Sequence, residues 1–77
     1  MPTVLIKHGL RFQFFSADGL EPPHIHVDGD GKRAKVWLVN GNVAKTGGFS
    51  DQQMTRILLI IEEHQTEMLE AWNDYFR

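Results

Sequence analysis

His24-Ile25-His26-Val27-Asp28-Gly29-Asp30-Gly31-Lys32-Arg33-Ala34-Lys35-Val36-Trp37-Leu38-Val39 is the stretch that decides the fold. Two alternating runs, residues 24–28 and 33–39, flank Asp30-Gly31, and an Asp-Gly pair suits the two left-handed positions of a type I′ turn. That turn sets the register of a hairpin. Val27 then opposes Ala34 and Ile25 opposes Val36, so one face is apolar throughout. On the other face Asp28 opposes Arg33, His26 opposes Lys35 and His24 opposes Trp37. Side chains alternate with period two along a strand, so the apolar set faces a core and the second set faces outward. A slip of one residue would mix the two sets.

Upstream of this hairpin, Thr3 to Lys7 is a short β-branched run and Leu10 to Ser16 is rich in aromatics, and both read as strands. Gly9 marks the turn between them. A three-residue loop, His8-Gly9-Leu10, pairs Ile6 with Phe12 and Val4 with Phe14 and keeps one face apolar. A two-residue loop would set the same aliphatics against Arg11 and Gln13. Residues 17–23, with Asp18-Gly19 and Pro22-Pro23, read as a loop. Downstream, Asn40-Gly41 is a second turn signal leading into a weak edge strand over 42–46, with Leu38 facing Val43. Gly47-Gly48 breaks that strand. Ser50 and Gln53 have the spacing of a capping box, with Phe49 and Met54 placed as its hydrophobic staple. From there to about Phe76 no glycine or proline interrupts a helical pattern in which Met54, Leu58, Ile61, Met68 and Trp72 share a face. The expected fold class is α+β: one domain over residues 1–77, with an antiparallel four- to five-stranded meander sheet packed on one long C-terminal helix. Val4, Ile6, Phe12, Phe14, Ile25, Val27, Val36, Leu38, Leu58, Ile61, Met68 and Trp72 are its expected core.

Bulk properties agree with a small single domain. Seventy-seven residues with 42% hydrophobic and 23% charged content suffice for one core. A chain this short buries only about 60% of its unfolded surface, so its stability margin is thin. It has no cysteine, which excludes disulfides and thiolate metal sites. No run approaches the roughly 18 apolar residues of a membrane span, and Met1 to Leu5 do not resemble a signal peptide, so a cytoplasmic location without membrane contact is expected. Residues 1–49 carry six Lys/Arg and four Asp/Glu, a net +2, while residues 50–77 carry two Arg and six acids, a net −4. The sheet half is thus mildly basic and the helix acidic. A 26-residue helix would span about 39 Å, against a diameter near 30 Å for a domain of this size. Its last turns must therefore overhang, bend or pack on something else. Ile57, Ile60, His64, Met68, Ala71 and Tyr75 trace a second seam, suited either to a homodimer or a partner, or to a sheet that curls around a wide helix face.

The chemistry sits on the outward face of the hairpin. His24 and His26 are two same-strand imidazoles, able to chelate a divalent metal or to move protons near neutrality. Asp28, next on that face, is the third candidate ligand, although the register draws it towards Arg33. An acid/base reading makes His24 and His26 the catalytic pair of a nuclease-type toxin, with Lys35, Arg33 or Arg11 holding the phosphate of an RNA. A binding reading takes Trp37, with Arg11, Lys35 and Phe15, as a contact patch, because a tryptophan on a non-core face exceeds what solubility needs. The plainest reading is that the histidines pack on Trp37, or that Trp72 to Phe76 fold back over them.

Several segments together resemble a known bacterial family. They are Met1-Pro2-Thr3-Val4, Glu21-Pro22-Pro23-His24-Ile25-His26-Val27, Ala34-Lys35-Val36-Trp37-Leu38, Gly48-Phe49-Ser50, Glu63-His64 and Leu69-Glu70-Ala71-Trp72. The family is that of domain of unknown function 4160. The resemblance spans nearly the whole chain and implies no assigned activity. It implies a two-component, toxin–antitoxin-like arrangement in which the partner protein is encoded nearby, as in the family of domain of unknown function 2442. The leading expectation is a binding module acting through such a partner. A nuclease-type toxin and a metal-binding regulator are the alternatives.

Overall fold

The computed structural model describes residues 3–77; Met1 and Pro2, which carry part of the resemblance and of the N-terminal reading, lie outside the described residues. Five strands form one antiparallel sheet in chain order: β1 (Thr3–Lys7), β2 (Leu10–Gln13), β3 (His24–Gly29), β4 (Lys32–Trp37) and β5 (Val43–Lys45). Two helices follow, α1 (Asp51–Glu63) and α2 (Gln65–Phe76).

The central hairpin has the register its turn dictates. Asp30 and Gly31 take φ of 55° and 74°. Val27 pairs with Ala34, Ile25 with Val36, His26 with Lys35 and His24 with Trp37. The first hairpin differs from expectation. His8 and Gly9, at φ 54° and 76°, form a two-residue left-handed turn. Leu5 therefore pairs with Phe12 and Ile6 with Arg11, and a bulge between Thr3 and Leu5 resets the register. Ile6 consequently leaves the core and is 63% exposed, while Leu5 packs against it. The longer loop looked preferable because it kept one face apolar; the shorter turn forms because His8 takes the left-handed conformation, uncommon for a residue other than glycine. The last strand also shifts: Val43 pairs with Val36 rather than with Leu38. The Leu38 amide instead donates to the Pro23 carbonyl.

Between β2 and β3 the chain makes a 3-10 turn over Ser16–Leu20 where a plain loop was expected. The Asp18 carboxylate holds it by accepting the Phe15 amide at 2.7 Å. Gly19 lets the Phe76 ring pack close, since a Cβ would stand 2.6 Å from it and displace it.

The single long helix is in fact two. Ser50 and Gln53 form the expected capping box at the start of α1. At His64 the backbone leaves helical geometry, with φ −113° and ψ 16°. Its amide still reaches the Ile60 and Ile61 carbonyls, and its own carbonyl accepts from Met68 to begin α2. A straight rod of about 39 Å would outrun the molecule, whose longest extent is 34 Å. The break keeps both halves on the sheet. It is locked by Gln65, whose side-chain amide donates to the Leu38 carbonyl at 2.5 Å.

The core lies between sheet and helices: Phe12, Phe14, Ile25, Val27, Ala34, Val36 and Leu38 face Phe49, Met54, Ile57, Ile60, Ile61, Met68 and Trp72. Burial of each large side chain contributes about 1.5–3 kcal/mol. Ile57 and Ile60, read from the sequence as a seam for a second copy, are buried in the chain's own core. The surface expected to form a homodimer thus loses its apolar centre. Val4 and Leu58, placed in the core by pattern, are only partly buried.

Candidate functional site

The site is built where β2 has already ended. Gln13 pairs with His26, so His24, two residues earlier on β3, has no β2 neighbour. The space is taken by the 3-10 turn and the end of α2. His24 is fully enclosed. Its ring lies 5.1 Å from His26, 5.5 Å from Trp37 and 5.1 Å from Trp72. The helix end does fold back over this histidine, and it does so through Trp72. Phe14 anchors that arrangement, packing on Trp72, Tyr75 and Phe76.

The His24 ring is oriented by its Nδ1, 2.9 Å from the Pro22 carbonyl oxygen. A carbonyl only accepts, so Nδ1 carries the proton. His26 sits between His24 and Phe15, whose ring is 5.0 Å away. Its Nε2 lies 3.1 Å from Asp18 Oδ2, and His24 Nε2 lies 3.4 Å from the same oxygen. Burial holds the His26 pKa below its usual value. The Asp18 charge opposes that shift, while His24 and Arg33 reinforce it. Asp18, His24 and His26 thus bring three metal-capable atoms within 4.8 Å of one another.

Asp28 is not part of this group. Its carboxylate accepts from Arg33 at 2.5 and 2.8 Å and from the Gln13 side chain. Those bonds, Arg33 first, hold its pKa below the usual carboxylate value. The third position beside the histidines belongs to Asp18, from the segment read in the sequence only as a connecting loop. Its sequence spacing from His24 fits neither strand nor helix period. The available signal was indirect: an aspartate after Ser16, followed by Pro22-Pro23, which returns the chain to the same sheet face.

The other sequence candidates form a rim. Lys35 stands over the Trp37 ring at 4.6 Å and binds Glu21 at 2.5 Å. That bond lowers the Glu21 pKa. Arg33 stands over Phe15 at 4.8 Å. Trp37, half-buried, lines a shallow cleft of about 200 Å³ with Pro22, Pro23, Val39 and Asn40. Arg11 lies opposite Asp28 on β2, apart from the histidines. A separate cleft, on the other side of the molecule's sheet, is lined by His8, Leu10, Phe49 and Arg56 among others. No helix among the described residues is long and apolar enough to cross a membrane.

Fold and site together define a small α+β domain whose meander sheet carries a His–Asp cluster at one end of its outer face. The chain belongs to the family described as Domain of unknown function (DUF4160), whose model matches residues 9–73. No curated protein and no solved structure matches it.

Proposed function

We propose that this domain is a binding module, one component of a bacterial toxin–antitoxin-like pair, acting through a partner protein that docks on the outer sheet face at Trp37. The observation that carries the reading is the setting of that indole. It is half-buried, backed by the enclosed His24 ring and covered by Lys35. It opens onto a cleft whose other apolar walls are Pro22, Pro23 and the 67% exposed Val39. A rigidly backed aromatic beside an apolar cleft is the usual form of an interface anchor. Lys45 pairs across the sheet with Lys35, and the sheet half is net positive. The matching partner surface is an apolar side chain flanked by acids, and the resemblance points to a protein of the domain of unknown function 2442 family. Catalysis by the histidine pair has less support. The His24 side chain is 1% exposed, so no external substrate meets its ring, and a nuclease-type reading would rest on His26 alone.

The test is co-expression with the neighbouring partner, co-purification, and titration of the purified components. Trp37→Ala should weaken the complex about 30-fold or more, an interface hot-spot effect of roughly 2 kcal/mol. His26→Ala should weaken it less. Absence of any complex with the wild-type chain would overturn the reading. Loss of a growth effect with His26→Ala, but not with Trp37→Ala, would favour acid/base chemistry instead.

A further inference from the structure

The geometry points to a divalent transition-metal site formed by Asp18, His24 and His26. This is independent of the partner reading, and it replaces the ligand set that the strand alternation alone would select, in which Asp28 stands third.

His24 carries the argument. Its Nδ1–H is committed to the Pro22 carbonyl, so the neutral ring presents a lone pair at Nε2. That nitrogen is buried and has no hydrogen-bond partner. It faces Asp18 Oδ2 at 3.4 Å, a lone pair against a carboxylate oxygen with no donor between them. A buried acceptor left in that state is destabilising, and a cation placed between the two atoms relieves it. Metal-bound histidines characteristically show this arrangement, with one ring nitrogen tied to a carbonyl and the other presented to the ion.

The other two ligands are supported by position, since His26 Nε2 is in hydrogen-bond contact with Asp18 and would exchange that contact for the ion. His26 Nε2 is 3.1 Å from the same Asp18 oxygen. The Phe15 amide donates to that same Oδ2, which fixes the carboxylate as hydrogen bonds to ligating carboxylates do and leaves the oxygen's other lone pair for the ion. Donors bound at about 2.0–2.2 Å in a tetrahedral site stand roughly 3.3–3.5 Å apart. Two of the separations already lie near that range, and the whole set lies within 4.8 Å, so a small ring rotation completes it. Two imidazoles and one carboxylate select borderline ions such as Zn²⁺ or Co²⁺ over Mg²⁺ and Ca²⁺. Three protein ligands leave a coordination position open. The Asp18 and His26 side chains are 17% and 15% exposed, which gives that position access to water.

The competing arrangement is a proton in place of the metal, with His24 charged against Asp18. Titrating the full chain, freed of metal with EDTA, with Co²⁺ and Zn²⁺ separates the two. The expected result is a visible Co²⁺ absorption band saturating at one ion per chain and displaced by Zn²⁺. Zn²⁺ at a hundredfold excess over its dissociation constant should raise the melting temperature by roughly 10 °C or more, and Mg²⁺ should not. Asp18→Asn and His26→Gln should each weaken Co²⁺ binding at least tenfold, while Asp28→Asn should leave it unchanged. His24→Gln should abolish the band, and if that variant does not fold the other two decide. No Co²⁺ band with the wild-type chain, or equal binding by Asp18→Asn and His26→Gln, would overturn the site.

Discussion

Asp28 and Arg33 face each other across the central hairpin, and their bond has a definite acid signature. The folded carboxyl holds its proton less tightly than an ordinary aspartate, whose pKa is 3.8. As pH falls, the unfolded chain protonates first, so stability present above pH 3.8 drains as pH drops through the folded value. Asp28→Asn should therefore flatten the acid limb of the stability–pH curve in urea melts. Because the pair is partly exposed, the loss at neutral pH should stay near 1 kcal/mol or less. A limb unchanged by the substitution would remove the pair from acid unfolding. Gly47 is a second residue with a sharp requirement. At φ 63° a Cβ would stand 1.7 Å from the Arg33 carbonyl oxygen. Gly47→Ala should cost at least about 2 kcal/mol, because strained backbone and a backbone clash act together. At this scale the histidines were legible, since strand alternation puts both on one face. Asp18 was not, because a loop residue three positions after Phe15 reaches them only through the 3-10 turn.

Elements with strong local signals were legible, and those shaped by distant packing were not. Asp30-Gly31 set the register of β3 and β4, and Ser50 with Gln53 set the start of α1. The break at His64 has no glycine or proline to announce it. It follows from the sheet's width and from the Gln65 bond to the Leu38 carbonyl, both tertiary facts. The second apolar seam visible in the sequence is one edge of a wide buried face: within α1 alone, Met54, Ile57, Ile60 and Ile61 all reach the core. Ile60→Ala should accordingly lower stability by about 2–5 kcal/mol, as for other buried isoleucines. Its sedimentation coefficient should match that of the wild type. A change in association state with little change in melting would return Ile60 to an intermolecular surface.

The whole molecule has one core and little in reserve. A 77-residue domain carries total stability of roughly 4–12 kcal/mol. Phe14→Ala, which removes the ring meeting Trp72, Tyr75 and Phe76, should cost about 3–5 kcal/mol and bring the domain to the edge of unfolding. Phe14→Leu should stay folded with a lower denaturation midpoint. A Phe14→Ala protein melting like the wild type would contradict the placement of this ring. The sheet-on-helix architecture was readable from period and turns, whereas the closure of α2 over His24 depended on contacts between opposite ends of the chain.

That closure imposes an order on folding. The β3–β4 hairpin closes over a two-residue turn and involves only near neighbours, a process of about 1–10 μs in isolation. Trp72 meets His24, and Phe76 meets Gly19, only after the chain returns from its far end, and such distant contacts carry the larger loop-closure cost. The nascent hairpin therefore displays both histidines to water before the helix encloses one of them. Pulse-labelled hydrogen exchange should find β3 and β4 amides protected ahead of those in α2, and simultaneous protection would show that the domain assembles in a single step.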